Sequence, residues 1–442
     1  MPAKIFSRNP IKHVATSIRD LKERHEERHR PSGFQFAFAE QIDLLNADKW
    51  DGVVNGGTVF LRRDFLRLAE THGPDNVKPR YALICRGQKP VAVLAAQMVS
   101  VTAKHLHGDG KSKTGGKPAH PLKKVLVPAA KLATAKLDER LLVAGNLMSW
   151  GFHGIAFAPG EDPARLWPGV ADALYRIRRS ERLLGDTNMV LVKDVTPVES
   201  GLEALKRFSY RPLETEPNMV LAIDPAWRNY EDYLAALDAK YRRTAKDQLK
   251  KLANAGCTLE PLADLMANSA RLHELYLAVH DNASVKLVTL REHYLPQLAA
   301  AFGDDFSCTV VRRGGEILGF VTALRDGDLA VAYYIGFDRA AAAEGLPVYL
   351  RLLHSTIGDA IRWRCKRLSL GRTALEPKAA MGAKPEPMAI WMRHRIPALN
   401  WMLRGVLGAV THDEAPERNP FKSVPAQSNH ASVTALPVRA DS

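Results

Sequence analysis

The sequence predicts an α+β protein made of two similar domains in tandem. Its 442 residues are too many for one ordinary hydrophobic core, so length alone favours two domains. In each half, a strand hairpin is followed by another strand, a helix and a further strand. The stretch "RGGEILGF" at 313–320 also aligns with "RGQKPVAV" at 86–93. The repeated order of elements, more than this short match, supports the tandem prediction.

Composition and charge narrow the class of protein. Apolar residues make up 46% and charged residues 25%, as in ordinary soluble domains. No apolar run approaches the roughly 20 residues of a membrane span, and the N-terminus lacks the apolar core of a secretory signal. The four cysteines stand far apart without metal-ligand spacing, which fits a reducing compartment and no metal site. We therefore expect a cytoplasmic protein.

The net charge of +14 predicts attraction to an anionic partner. RNA, a phosphate-bearing cofactor, an acidic carrier protein and an anionic membrane surface all satisfy this condition. The charge does not select among them.

The first half carries a regular series of elements after a polar, basic extension at 1–33. Asp64 is the expected N-cap of a helix at 64–73. The basic loop at 104–124 contains Gly-Lys-Ser but lacks the spacing of a phosphate-binding loop. The remaining predicted elements are a hairpin (80–103), two strands around a glycine-rich turn (141–160), a helix (162–183) and a buried strand (187–195).

The pattern changes near Asp224, where we place the domain boundary. A long basic helix or helix pair at 230–256 opens the second half and is closed by Gly256. A hairpin and third strand (306–338), a helix (347–365) and a strand (366–371) follow. The predicted organisation is an extension (1–33), a first domain (34–224), a second domain (225–410) and a flexible tail (411–442).

The segment "GRTALEPKAAMGAKPEP" at 371–387 contains three prolines among several charged residues. Proline removes a backbone donor and fixes φ, so we expect neither a regular helix nor a core strand here. The sequence predicts a kinked segment that leaves the end of the last strand.

Two stretches carry a resemblance to a known family. The basic helix at 234–262 and the run from "GFD" at 336–338 to Lys378 and Met381-Gly382 resemble the FemAB-like, BioF2-like branch of the GNAT acyltransferases. The resemblance covers 230–395, and the first half resembles a second, divergent unit. It implies two tandem GNAT-like lobes, each a mixed twisted sheet with flanking helices.

The resemblance also implies an activity. The reaction is transfer of an acyl or aminoacyl group to an amine, in a cleft where two central strands separate. The implied donors are acyl-CoA, a thioester on an acyl carrier protein, or aminoacyl-tRNA, and no metal is implied.

One departure from the family pattern bears on the donor. GNAT enzymes hold the CoA diphosphate with a Gln/Arg-x-x-Gly-x-Gly/Ala loop at a helix N-terminus. In "AAAAEGLPVYL" at 340–350, Gly345 matches the middle glycine, but Ala342 replaces the basic or amide residue and Pro347 the last small one. The implied cofactor-binding positions are Gly345, Leu346 and Val348.

Acyl transfer to an amine needs a base, an acid and donors for the oxyanion. His153, between glycines in "GNLMSWGFHG", is our candidate base or a binder of a carboxylate, with Asn146 and Trp150 as substrate-binding neighbours. Tyr334 is the candidate acid, because strand alternation should send Tyr333 and Tyr334 to opposite faces, one toward the cleft. The alternative is that these residues only pack.

Three charged residues of the proline-rich segment complete the candidate site. Glu376 is a candidate catalytic residue that would hold Lys378 or Arg372 in place, and these two cations would bind a phosphate or carboxylate. The alternative is a surface connection with incidental ion pairs. The rival hypothesis for the whole protein is a non-catalytic basic binding module for RNA or an anionic surface.

Overall fold

The structure is a computed structural model and describes residues 32–102, 138–197, 199–283, 286–400, 416 and 418–422. Most of the predicted N-terminal extension and the basic loop at 104–124 lie outside these residues. In the part of the chain that is described, no helix combines the length and apolarity that a membrane crossing requires.

Both halves contain strands and helices. The strands are β1 (Gln35–Ala39), β2 (Val77–Arg86), β3 (Lys89–Thr102), β4 (Asp138–Ala144), β5 (Ile155–Phe157), β6 (Thr187–Val195), β7 (Arg211–Ala222), β8 (Cys257–Pro261), β9 (Phe306–Arg313), β10 (Glu316–Asp326), β11 (Leu329–Phe337), β12 (Arg367–Ser369) and β13 (Lys384–His394). The α-helices are α1 (Ala47–Val54), α2 (Arg63–His72), α3 (Pro163–Ser180), α4 (Glu203–Arg207), α5 (Tyr230–Ala236), α6 (Ala239–Asn254), α7 (Ser269–His280), α8 (Tyr294–Phe302), α9 (Arg339–Ala343), α10 (Val348–Arg362) and α11 (Leu375–Ala380).

One mixed sheet runs through both lobes. Its strand order is β1-β2-β3-β4-β6-β13-β7-β12-β11-β10-β9-β8, and β5 pairs with β3 beside this path. The repeat of hairpin, strand, crossover helix and strand is confirmed in each lobe, with α3 and α10 as the crossover helices.

The last strand of each lobe is exchanged between the lobes. β7 ends the first lobe in sequence but pairs with β12 of the second, with Val220 opposite Ser369. β13 ends the second lobe but pairs with β6 of the first, with Met392 opposite Leu191. The two exchanged strands pair with each other at the centre of the sheet.

A shared core joins the lobes on one face of the sheet. Trp50 and Phe60 of the first lobe belong to the same buried cluster as Tyr294, Phe320 and Tyr333 of the second. Helices α5, α6 and α10 cover the other face of the sheet in the second lobe. Alternate residues of β10 and β11 point to opposite faces and therefore pack into different clusters. The lobes therefore bury apolar surface together.

Two local predictions are wrong. Arg62, not Asp64, is the N-cap of α2, and the Asp64 carboxylate instead accepts from the Phe65 N–H inside the first turn. The segment at 371–387 also contains a helix, α11, and the start of strand β13. Pro377 is tolerated because it lies in the first turn of α11, where its missing N–H has no helical acceptor.

The predicted flexible tail is fixed at one point. Phe421 forms a β-bridge with Leu237, and the Asp238 N–H donates to the Pro420 carbonyl. The Phe421 ring packs against Trp227, with centroids 5.7 Å apart. The expectation of little fixed structure is therefore wrong at residues 418–422, because an aromatic anchor binds them to the second lobe.

Candidate active site

The parallel strands β11 and β12 separate in the second lobe. They pair only from Leu329–Arg367 to Val331–Ser369, where β12 ends. β11 continues to Phe337, and within the described ranges no strand pairs with this edge of it. The separation leaves a cleft with free backbone groups on one wall.

A β-bulge lies in the wall of this cleft. Val321 faces Ile335, whereas Ala323 faces Ala332, so Tyr333 and Tyr334 together oppose the single residue Thr322. The Thr322 hydroxyl accepts from the Tyr334 N–H at 3.0 Å and lies 3.3 Å from the Tyr334 carbonyl. This hydroxyl replaces the strand pairing that the bulge removes.

The bulge overturns the prediction that Tyr333 and Tyr334 point to opposite faces. Both rings pack against the shared core, with centroids 4.7 Å apart. Tyr333 is buried and its hydroxyl pairs with that of Tyr294 at 2.8 Å. Tyr334 is half-buried and donates to the Met148 carbonyl at 2.9 Å. Burial raises the pKa of both hydroxyls well above the ordinary value, so both stay protonated.

The glycine-rich loop of the first lobe lines the cleft of the second. The Trp150 indole N–H donates to Ser369 Oγ at 2.9 Å, and Ser369 Oγ donates to Asn218 Oδ1 at 2.9 Å. The indole also lies against Gly371, where a Cβ would be 3.3 Å from the ring on a backbone with φ of 80°. The Trp150 indole therefore lies at the point where the strands part.

Asn146 shapes this loop. Its side-chain oxygen accepts from the Met148 N–H at 2.9 Å, which places the carbonyl that Tyr334 contacts. Its Nδ2 is buried and has no hydrogen-bond partner among the described residues. The contacts of Asn146 fit a loop-positioning residue better than one that binds substrate.

His153 is buried between the lobes. Its Nδ1 lies 2.9 Å from Ser149 Oγ, its ring stacks on Phe60 at 4.1 Å, and its Nε2 is 4.0 Å from Asp326 of the second lobe. Burial, with the nearby Lys193 ammonium, lowers the pKa of the imidazole to about 3. Such an imidazole is neutral and a weak base at neutral pH, so the predicted role of His153 as the base does not fit this environment.

Arg372 belongs to an ion cluster between the lobes. Its guanidinium donates to Asp194 at 2.9 Å and lies 3.3 Å from Glu216. Asp194 is completely buried, and it also contacts the Lys193 ammonium and accepts from the Gly151 N–H at 3.0 Å. Burial alone would raise the pKa of Asp194, but Lys193 and Arg372 hold it below the usual range. Arg372 thus fixes the loop that carries Trp150.

Glu376 and Lys378 do not meet. Glu376 is exposed and pairs with Arg418, so the prediction that it holds Arg372 or Lys378 is wrong. Successive positions on α11 point in different directions, which sends Glu376 to solvent and Lys378 inward. Lys378 is only 2% exposed, and no hydrogen bond or ion pair to its ammonium occurs in the described residues. Burial lowers the pKa of its ammonium to about 7.

The predicted phosphate loop lies at the N-terminus of α10. Gly345 has φ of 79°, and Leu346 and Pro347 lead into the helix. Val348 is fully buried, so its backbone rather than its side chain faces the loop. Lys251 of α6 supplies the cation that Ala342 lacks, because its Nζ is 3.4 Å from the position of a Cβ on Gly345. The charge fits a diphosphate, although Pro347 provides no N–H.

Three residues at the cleft were not predicted from the sequence. Ser369, Asn218 and Thr322 line or shape the cleft through side-chain hydroxyl and amide groups. Ser369 ends a strand that precedes Gly371, which is a weak signal for a site at the carboxyl edge of a sheet. Asn218 and Thr322 carry no local signal, because strand exchange and the bulge bring them to the cleft.

The separated parallel strands and the crossover helix that starts at the cleft agree with the cleft that the resemblance to GNAT acyltransferases implied. Residues 239–379 match the family model of the acetyltransferase (GNAT) domain. The match lies within the second lobe, where the resemblance implied a GNAT-like unit, and it supports the predicted recognition; the predicted α+β fold of two similar lobes is confirmed. No curated protein matches the sequence.

Several solved structures are similar to the chain at low identity. FemX has 10% identity and a TM-score of 0.47, covering 81% of this chain and 98% of FemX. A tandem GNAT protein from the clavulanic acid biosynthesis pathway has 12% identity and a TM-score of 0.45, covering 82% and 98%. The C-terminal domain of a putative lysylphosphatidylglycerol synthetase from Agrobacterium fabrum has 12% identity and a TM-score of 0.44, covering 81% and 94%.

Proposed function

We propose that the second lobe transfers an acyl or aminoacyl group, from a thioester or aminoacyl-tRNA donor, to an amine acceptor. The observation that carries this proposal is the separation of β11 from β12 beyond Val331 and Ser369, beside a bulge and a helix N-terminus. We also propose that the protein belongs to the FemAB-like, BioF2-like branch and works in the cytoplasm, where such donors are made.

The donor side of the cleft suits a phosphate-bearing group. The first turn of α10 offers free N–H groups and the positive end of a helix dipole, and Lys251 adds a cation. Acyl-CoA, the phosphopantetheine of an acyl carrier protein and the end of an aminoacyl-tRNA all present phosphate near a reactive acyl group. The site therefore supports a phosphate-bearing donor without choosing among the three.

The chemistry follows from the residues at the separation. The acceptor nitrogen attacks the acyl carbon, a C–N bond forms, and the C–S bond of a thioester or the C–O bond of an aminoacyl ester breaks. The Tyr334 hydroxyl, which burial keeps protonated, donates a proton to the departing sulfur or oxygen. The proton of the attacking amine leaves to water in the cleft, since the pKa of His153 makes it a poor base.

Lys378 contributes binding. A buried ammonium without a counter-ion is costly, so an anionic group of the substrate would remove that cost on arrival. We propose that Lys378 binds a carboxylate or phosphate of donor or acceptor. Trp150 and Ser369 orient the reacting groups at the strand separation.

The test is a donor screen with matched tyrosine variants. Purified chain is incubated with acetyl-CoA, longer acyl-CoA, an acylated carrier protein or aminoacyl-tRNA and a panel of amines, and products are identified by mass spectrometry. We expect Tyr334→Phe to lower kcat about 100-fold, as for loss of an acid, whereas Tyr333→Phe keeps most of the activity. Consumption of no donor would reject the proposed function, and equal losses in both variants would reject Tyr334 as the acid.

A further inference from the structure

A second cavity lies in the first lobe, away from the cleft. It is formed where α3 ends and β6 begins, beside the end of β13, and has a volume of about 410 Å³. Cavities of this size hold small ligands. Its lining residues are Tyr175, Arg178, Arg179, Arg182, Asp186, Thr187 and Arg395.

The cavity carries an excess of positive charge. Of its four arginines, Arg395 pairs with Asp186 at 3.0 Å, and Asp186 is the one acid among the lining residues. The other three have no ion pair within the described residues. Burial, together with the like charges of Arg393 and Arg395, lowers the pKa of the Arg178 guanidinium. Crowded cations of this kind are stabilised by a bound anion.

A buried hydroxyl points to the same ligand. Thr187 lines the cavity and is 3% exposed, yet its Oγ1 has no hydrogen-bond partner in the described part of the chain. Buried polar atoms are normally paired, so an unpaired one on a residue that lines a cavity indicates a missing partner. Arginine and threonine side chains together suit the oxygens of a phosphate.

Apolar side chains project from the protein beside the cavity. Leu183 and Leu184 are 97% and 67% exposed next to Arg182, and Ile396 is 42% exposed next to Arg395. Soluble surfaces rarely hold several large aliphatic residues together in the open. Here Leu183 and Ile396 each follow directly in sequence an arginine that lines the cavity.

The turn that carries the leucines is anchored. The buried Glu181 accepts from Arg80 and from Arg140, each at 2.6 Å, and Arg140 also donates to the Gly185 carbonyl at 2.9 Å. The ends of the turn at 181–185 are thus fixed by a buried ion network. The exposure of Leu183 and Leu184 is therefore a property of a fixed turn.

We propose that this cavity binds the phosphate of an anionic lipid headgroup while Leu183, Leu184 and Ile396 enter the membrane surface. A nucleic acid would also supply phosphate, but it offers no apolar layer for exposed leucines, whereas a lipid surface offers both. The cavity lies at the carboxyl end of α3, and acyl transfer takes place at the other lobe. This inference is independent of the proposed reaction.

The experiment is co-sedimentation of the full chain with vesicles at physiological salt. We expect binding to phosphatidylcholine vesicles that contain phosphatidylglycerol, and little binding to phosphatidylcholine alone. The double variant Arg179→Gln/Arg182→Gln should lose about tenfold or more in affinity, because each basic residue near the surface contributes several-fold. Leu183→Ser/Leu184→Ser should lose a similar amount with the charge intact.

A matched variant controls for net charge. Lys246→Gln/Lys250→Gln removes two exposed cations of α6, and we expect less than a twofold change in vesicle binding. An equal loss in this control would overturn a specific site, and unchanged binding of the leucine variant would overturn membrane insertion. Thermal unfolding of each variant should match the parent, since every substituted residue is exposed.

Two soluble probes distinguish the source of the phosphate. Inorganic phosphate and bulk tRNA are titrated into the same four proteins. If either binds through Arg179 and Arg182 while vesicles do not bind, the ligand is a soluble phosphate or RNA and the lipid proposal is wrong. Vesicle binding that depends on both the arginines and the leucines would support it.

Discussion

The two lobes share a plan but treat their central parallel strands differently. In the first lobe, β4 pairs with β6 through Ala144 and Val192, up to the last residue of β4. In the second, β11 runs on for six residues after its last pair with β12, from Ala332 to Phe337. The first of the two parallel strands is therefore paired with the second up to its end in the first lobe, whereas in the second lobe its last part is not.

Glycines explain the closure of the first lobe. After Ala144 the chain turns at Gly145, and Gly154 returns so close that a Cβ on it would lie 2.2 Å from the Gly145 nitrogen. The loop between them carries Trp150 across to the second lobe. The first lobe therefore has no open strand end between β4 and β6, and its loop lines the opening in the second lobe.

The largest expected effect concerns the ion cluster that joins the lobes. Asp194→Asn leaves Lys193 and Arg372 buried without their shared carboxylate, so we expect a loss of about 3–5 kcal/mol in the free energy of unfolding. Urea denaturation measures it. Glu216→Gln, which affects only the more exposed partner of Arg372, should cost less than about 1 kcal/mol. Equal costs would mean that the buried carboxylate has no special place in holding the lobes together.

The next effect concerns the buried amine of the second lobe. Lys378→Met should stabilise the protein by at most roughly 5 kcal/mol at pH 6, because each unit by which burial lowers a pKa is about 1.4 kcal/mol. Activity should fall in the same variant if Lys378 binds substrate.

The pH dependence has a definite sign. The pKa of Lys378 is about 7 in the folded protein and near 10.4 unfolded, so between these values the unfolded chain binds the extra proton. The contribution of Lys378 to the free energy of unfolding of the parent protein therefore rises from about pH 7 to about pH 10 and is constant below pH 7. The gain from Lys378→Met should shrink across that range, and a gain independent of pH would contradict the burial of a charged amine.

A third prediction tests whether the first lobe serves the second. Trp150→Ala should lower kcat/KM about 30-fold, because the indole orients groups at the separation through Ser369. Trp150→Phe keeps the ring and loses only the hydrogen bond, so it should retain more activity. Steady-state kinetics of both variants measure this, and full activity in Trp150→Ala would show that the second lobe works without the loop.

The smallest effect concerns the phosphate loop. Lys251→Gln should raise KM for a phosphate-bearing donor several-fold, with kcat nearly unchanged, since one exposed cation contributes binding alone. Lys246→Gln on the same helix is the control. A salt-independent KM in the parent would argue against phosphate binding here.

The sequence was informative where structure is local. Apolar periodicity and turn residues predicted the hairpins, the crossover helices α3 and α10 and the helix pair α5–α6 close to their observed bounds. The cluster from Asn146 to His153 was recognised by its glycines and its polar and aromatic residues. These signals depend on neighbours in the chain.

The remainder depends on distant contacts. The exchange of β7 and β13, the bulge at Tyr333 and the pairing of Asp194 with Arg372 join residues far apart in sequence. Burial, which only the fold determines, makes His153 a weak base and Lys378 an uncompensated cation. Spacing along the chain carries no information about either environment.

The strand exchange also constrains the order in which the lobes can fold during synthesis. Until β13 emerges from the ribosome, β6 and β7 each expose a polar edge, although residues 34–224 were completed long before. Folding of the first lobe is therefore complete only after nearly the whole second lobe has been made, because β13 fills the gap between β6 and β7. A nonsense mutation anywhere before Lys384 would thus incapacitate both lobes, including one translated in full.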